Sequence, residues 1–127
     1  MNKTYKLVRK IVAEQKYKVI DDDGENIAIN YQLNTIFFFM NLGDKSFVSI
    51  VLPDFAYVTE ENFHDVVMNC HWLNSKVQQV KYYTIDEYIV AASEFYYKGK
   101  GDLEFQILKA LDNLVAAKVS YNRMAGT

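Results

Sequence analysis

A chain of 127 residues, half of them hydrophobic and 15% aromatic, is too apolar to stay disordered and has the length of one domain, read here as residues 1–127. Its net charge of −2 supplies no overall attraction for nucleic acid or for an anionic membrane. A single cysteine, Cys70, excludes an internal disulfide, and the longest apolar run, Ile36 to Met40, is far short of the roughly 20 residues of a spanning helix.

No apolar segment follows Met1, so no secretory signal is expected and a cytoplasmic location is. From Thr4 to Lys16, Tyr5, Val8, Ile11 and Val12 recur at helical steps, and Lys3, Lys6, Arg9 and Lys10 occupy the rest of the wheel. Strand-like segments Tyr17–Ile20 and Ile27–Tyr31 flank an acidic turn whose Asp23-Gly24 pair predicts a two-residue type I′ hairpin. Thr35–Met40 is β-branched and aromatic, and Asn41–Lys45 should turn it back into Phe47–Leu52. Pro53 is expected just past that strand, where its missing N–H leaves no gap in the ladder.

The second helix is expected to start near Thr59 as N-cap, with Val58 and Phe63 forming a hydrophobic staple. Its stripe is Phe63, Val66, Val67, Cys70, Leu73 and Val77. Val80–Ile85 and Tyr88–Tyr97 read as strands joined at Asp86-Glu87. Lys98–Gly101 reads as a flexible link, and Asp102 as the cap of a last helix carrying Leu103, Ile107, Leu108, Leu111, Leu114 and Val115. The tail from Tyr121 should fray. The expected fold is α+β, an antiparallel sheet in the order α-β-β-β-α-β-β-α, with Ile27, Ile29, Phe63, Val66, Leu108 and Leu111 buried between sheet and helices.

Chemistry is sparse. His64 and His71 lie seven residues apart, whereas a helical metal site uses a tighter pair and a third ligand, so no metal is expected. Cys70 and His71 are neighbours on a helix and do not face each other, and Cys70 sits on the apolar stripe, where a thiol is inert. Asp21-Asp22-Asp23-Gly24 fails as a calcium loop, because Val19 and Asn30 would stand at its first and last ligand positions. Gly99-Lys100-Gly101 precedes a helix but lacks the longer Walker loop, and Asp102 would repel an anion. The basic residues of the first helix read as a solvated face. No catalytic residue and no cofactor is expected.

The aromatic strands do not fit a half-wet sheet. Ile36, Phe38 and Met40 point to one face and Phe37 and Phe39 to the other; Val48, Ile50 and Leu52 likewise oppose Phe47 and Val51. A sheet with one solvated face should alternate apolar and polar residues, so something must cover Phe37, Phe39, Phe47 and Val51.

The element order, with Val48-Ser49-Ile50-Val51-Leu52-Pro53 leading into the second helix and Asn74-Ser75-Lys76-Val77 near its end, resembles the YbjN-like family. That fold is related to the type III secretion chaperones. The resemblance covers nearly the whole chain and rests on packing and turn residues, so it implies a fold and carries over no active-site residue. It implies dimers that hold an extended segment of another protein, or a sensory regulator without established chemistry. The reading of the sequence is a non-enzymatic protein-binding or regulatory domain, a homodimer with a possible protein or peptide partner and with neither nucleic acid nor membrane. The alternative is a small-molecule domain with an aromatic pocket built from Tyr82, Tyr83, Tyr88, Phe95, Tyr96 and Tyr97.

Overall fold

The computed structural model describes residues 2–40, 46–77 and 79–126. Helix α1 (Lys3–Glu14) leads into strands β1 (Lys18–Asp22), β2 (Ile27–Tyr31), β3 (Asn34–Phe39) and β4 (Phe47–Tyr57). Helix α2 (Phe63–Lys76), strands β5 (Lys81–Ile85) and β6 (Tyr88–Tyr96) and helix α3 (Gly99–Ala125) complete the chain. Among the described residues every strand pair is antiparallel, and the sheet has six strands in the order β1-β2-β3-β4-β6-β5. The expected α+β class holds, and the four strands before α2 lie on the four segments read as strand-like, one more than the order α-β-β-β-α-β-β-α counts. The first of them, β1, is an edge strand whose register to β2 slips between Val19 and Asp21. Val19 and Ile20 are both about half exposed there, which explains why the segment lacks the alternation of a buried strand.

The turns correct the sequence reading in an instructive way. Asp23-Gly24 is not a two-residue type I′ turn, because only Gly24 has a positive φ, +86°, and Asp22 pairs with Ile27 across a longer connection. Two carboxylates hold that connection: Asp22 accepts the Gly24 N–H at 2.9 Å, and Asp23 accepts those of Glu25 at 2.8 Å and Asn26 at 2.6 Å. The tight turn with both central residues at positive φ lies instead at Gln32 (51°) and Leu33 (67°), between the paired Tyr31 and Asn34. Neither is glycine. Side chains of the flanking asparagines bridge it: Asn30 accepts the Leu33 N–H at 3.2 Å, and Asn34 donates to the Gln32 carbonyl at 3.0 Å. The predicted turn at Asn41–Lys45 lies outside the described residues.

Strand β4 does not end at Leu52 but continues through Pro53 to Tyr57. Its register against β6 breaks between Leu52 and Ala56, so the proline sits in an irregular stretch where no ladder bond is required of it. Helix α2 starts later than expected. Asn62 is its N-cap and makes no side-chain bond into the helix; Thr59 and Asn62 instead brace the turn before it, the Thr59 N–H donating to Asn62 Oδ1 at 2.7 Å and the Asn62 N–H to Thr59 Oγ1 at 3.2 Å. This leaves Phe63 53% and Val67 41% exposed, against the predicted stripe. Val66, Cys70 and Leu73 remain as the buried line of the helix.

Helix α3 includes the Gly99–Gly101 segment read as a link. Gly99 lies at φ +75°, outside helical geometry, and Asp102 reaches back from the first turn to accept the Lys98 N–H at 2.8 Å. At its far end the helix does not fray at Tyr121, which is only 3% exposed. Phe55 packs edge-on to that ring at 5.7 Å, and Tyr82 donates to the Ala117 carbonyl at 2.8 Å, so sheet and helix end are pinned together.

The helices lie on one face of the sheet. Val8, Ile11 and Val12 of α1, the Val66–Leu73 line of α2 and Leu103, Ile107, Leu111 and Leu114 of α3 share a single core with Ile27, Ile29, Ile36, Phe38, Val48, Ile50 and Ile89. Ile27, Ile29, Val66 and Leu111 are buried as predicted, whereas Leu108 is only half-buried and Phe63 is exposed. Strand alternation then sends Phe37, Phe39, Phe47 and Val51 to the opposite face, where no described helix lies.

Candidate functional site: the helix-free face of the sheet

Alternation and register together build this face. Phe37 pairs with Val51 and Phe39 with Ser49 across β3 and β4; Val51 pairs with Ala92 across β4 and β6; Tyr83 pairs with Val90 across β5 and β6. Val51, Val90 and Ala92 form a small second core, with Phe39 and Tyr83 packed against it from either side. The Phe37 and Phe39 rings stack at 5.9 Å with 8° between their planes. A shallow, mostly apolar bowl of about 320 Å³ results, lined by Phe37, Phe39, Val51, Pro53, Tyr83 and Ile85 among others.

Of the four residues the sequence marks, three meet in this bowl. Phe47 does not: it lies towards the other end of β4 and packs on Tyr96 with ring centroids 5.0 Å apart. Val51 is already buried by its neighbours at 8% exposure, and Phe37 and Phe39 are half-buried, so less apolar surface faces water than four unsupported side chains would leave. Pro53, Ile85 and Val90, which were not marked, and Tyr83, which was assigned to the alternative aromatic pocket, complete the bowl. Their signal was present in β6, where Ile89 to Ala92 are apolar without a break, as a strand covered on both faces requires.

One ion pair edges the face. Lys81 and Glu94 stand diagonally across β5 and β6 and pair with each other, and the hydrogen bond to Glu94 pushes the Lys81 ammonium above its ordinary pKa. The Lys81 Nζ also lies 5.6 Å from the Tyr83 ring centroid. The two charges cancel.

Elsewhere the singled-out residues have structural partners. Asp22 accepts the Tyr5 hydroxyl at 2.7 and 2.8 Å and pairs with Arg9, which ties β1 to α1. Glu14 takes Lys100 at 2.9 Å. His71 packs edge-on to Trp72 at 5.6 Å on the exposed side of α2, and burial pushes the Cys70 thiol up. Among the described residues, no three His, Cys, Asp or Glu side chains come together as a metal site, and no helix is long and apolar enough to cross a membrane. The aromatic residues of β5 and β6 do not form one pocket. Tyr82, Phe95 and Tyr97 join the helix-side core, where Tyr97 and Thr4 share a 2.6 Å hydroxyl bond. Tyr83, Tyr88 and Tyr96 alternate to the other face.

No family model and no curated protein matches the sequence. Among solved structures, the crystal structure of YbjN, a candidate transcription regulator from E. coli, superposes with a TM-score of 0.74 at 7% identity, over 95% of this chain and 93% of that one. The fold is YbjN-like. An uncharacterized protein from Methanothermobacter thermautotrophicus matches at TM-score 0.67 and 12% identity, covering 94% of each chain. At these identities the likeness to both structures is one of fold.

Proposed function

We propose that this chain is a non-enzymatic protein-binding domain whose helix-free sheet face pairs with a second copy of the chain. The observation that supports the reading is that α1, α2 and α3 share one core while the other face carries the Phe37–Phe39–Tyr83–Ile85 bowl. A second copy fits better than a charged partner because Lys81 and Glu94 neutralise each other, leaving a shallow, mostly apolar surface with no net charge to select an opposite one. A two-fold interface of that kind is self-complementary.

The magnitude sets the expected strength. Two half-covered Phe rings, a tyrosine and an isoleucine expose on the order of 200 Å² per copy. At about 25 cal/mol per Å², covering both copies contributes on the order of 10 kcal/mol, within the range that association itself costs. The dimer should therefore be concentration-dependent rather than obligate. A regulatory role, as the YbjN description suggests for that protein, would here act through protein contacts, since a net charge of −2 does not favour DNA. Sedimentation equilibrium of the wild type against Phe39→Asp tests the reading. A wild-type dimer and a folded monomeric variant support it; the same mass for both at every concentration refutes it.

A further inference from the structure

Strand β5 is shorter than the strand it pairs with. Its first residue, Lys81, lies opposite Ala92, so from Ser93 to Tyr96 strand β6 has β4 on one side and no described strand on the other. In an antiparallel ladder, alternate residues send both backbone groups to the same side. The Tyr96 carbonyl points to the open side, where it accepts the Gln106 side-chain amide at 2.9 Å. The N–H and C=O of Glu94 therefore point there too, and no described residue bonds to either. Glu94 is thus the residue of this edge at which a complete ladder pair is free, since the carbonyl at Tyr96 is already taken.

Helix α3 turns the open edge into a groove of about 710 Å³. The helix runs back along β6, from Gln106 beside Tyr96 to Ala117, whose carbonyl takes the hydroxyl of Tyr82, the partner of Ala91. Lys109 and Asn113 fall between these points, on the stripe that faces the groove. Ser93 is only 5% exposed, yet its hydroxyl bonds to no described residue. No sealed side-chain oxygen or nitrogen among the described residues lacks a partner, so the Ser93 Oγ opens into the groove that Ser93 lines. Lys109 has no ion pair among the described residues and lies over the Phe105 ring, 6.0 Å from Nζ to the centroid. Phe105 is 61% exposed, and Phe95 lines the groove from the strand. No aspartate lines it, and Glu94 sends its carboxylate to the helix-free face, where Lys81 holds it.

An unpaired strand N–H and C=O match an amide, an unpaired ammonium matches a carboxylate, and an exposed ring matches an apolar body. We infer that this groove binds a small N-acylated amino acid with an apolar acyl group. Lying antiparallel to β6, its amide N–H would donate to the Glu94 carbonyl. Its carboxylate would accept the Glu94 N–H, with Ser93, Asn113 and Lys109 as further donors. The acyl body would then fall opposite Phe95, on the helix side, against Phe105. The volume is that of a small-molecule site. The same chemistry ends a peptide chain, but a longer strand gains little here, because Gln106 blocks the next ladder position.

The experiment is a titration of the isotopically labelled protein with phenylacetylglycine, followed by amide chemical shifts. Saturable shifts are expected at Ser93, Glu94 and Asn113. Phenylacetylglycinamide, which lacks the charge, and phenylacetylsarcosine, which lacks the N–H, should each bind about tenfold more weakly. Lys109→Gln should make the acid and the amide bind alike, and Lys109→Arg should keep the preference for the acid, both at the wild-type melting temperature. Ala116→Trp, which fills the exposed wall and keeps Lys109, should abolish the shifts. A tetrapeptide ending in Phe-Gly should bind no tighter than the small acid. Equal affinity of the wild type for acid and amide, binding that ignores Lys109→Gln and Ala116→Trp, or shifts that do not saturate at low-millimolar probe would each overturn the inference. So would a tetrapeptide about tenfold tighter, which would make the groove a strand-binding site instead. None of these substitutions lies on the helix-free face, so the result is independent of the dimer.

Discussion

The rings of Phe37 and Phe39, two positions apart on β3, stack at 5.9 Å with their planes 8° apart on the side of the sheet that no described helix covers. A strand with one wet face places polar side chains at those positions. Here they carry two phenylalanines, across from a valine that the sheet itself buries. The helix side of the same strand is equally apolar, with Ile36 and Phe38 fully buried. Strand β3 is thus written for a sheet covered on both faces, and the chain supplies helices for one.

Tyr82 gives a test of the helix-side packing with a defined pH window. Burial pushes its phenol up to about 12 from 10.0, and its hydroxyl donates to Ala117 O at 2.8 Å. A phenol whose folded pKa lies above the unfolded value contributes stability that is complete below pH 10 and is lost as pH rises towards about 12. Tyr31, raised to about 12 by its hydrogen bond to Asp112, acts in the same direction. Denaturant melts should weaken from pH 10 upwards. Tyr82→Phe should cost about 1 kcal/mol at neutral pH and make the alkaline decline shallower. A decline unchanged by the substitution would show that Tyr82 does not contribute to it.

Cys70 lies at 7% exposure on the buried line of α2, with its pKa raised by burial. A thiol in that setting is a poor nucleophile. Reaction with a disulfide reagent should be slow in the native protein and immediate in denaturant. Rapid native modification would mean that α2 opens easily from the core.

The Gln32-Leu33 turn offers a gain in stability. Both residues hold positive φ, and Leu33 is 95% exposed, so nothing in the fold depends on its side chain. Replacing the pair with Asn-Gly, which adopts this turn without steric cost, should stabilise the protein by roughly 1 kcal/mol. Thermal or urea unfolding measures it, and a loss of stability would show that the leucine makes a contact the isolated turn does not need.

Strands and helices were legible wherever burial imposed a period. Ile27 and Ile29, or Leu103, Ile107 and Leu111, repeat at the spacing their element requires because one side of each is dry. Legibility failed at edges and ends. Phe63 carries the apolar character of a core residue, but the turn braced by Thr59 and Asn62 runs up to it, and Phe63 opens α2 on its exposed side. Gln32-Leu33 forms a glycine-type turn without glycine because register on either side and two asparagine side chains impose it, whereas Asp23-Gly24 has the composition of that turn but is held open by carboxylates. For the candidate face, alternation correctly sent Phe37, Phe39 and Val51 to one side. That Tyr83, Ile85 and Val90 join them follows from β6 lying between β4 and β5, an order no local pattern encodes.

The central claim is that the sheet face carrying Phe39 meets its counterpart in a second copy. It is tested most directly by isotope-filtered nuclear Overhauser measurements on an equal mixture of carbon-13-labelled and unlabelled chains at high concentration. Only contacts between different chains survive the filter. Cross-peaks from the Phe37 and Phe39 rings to the methyl groups of Val51, Val90 and Ile85 on the other copy are expected, fading on dilution. A spectrum free of inter-chain peaks at that face, or one whose inter-chain peaks come only from the outer side of α2 at Phe63, Val67 and Trp72, would contradict the account.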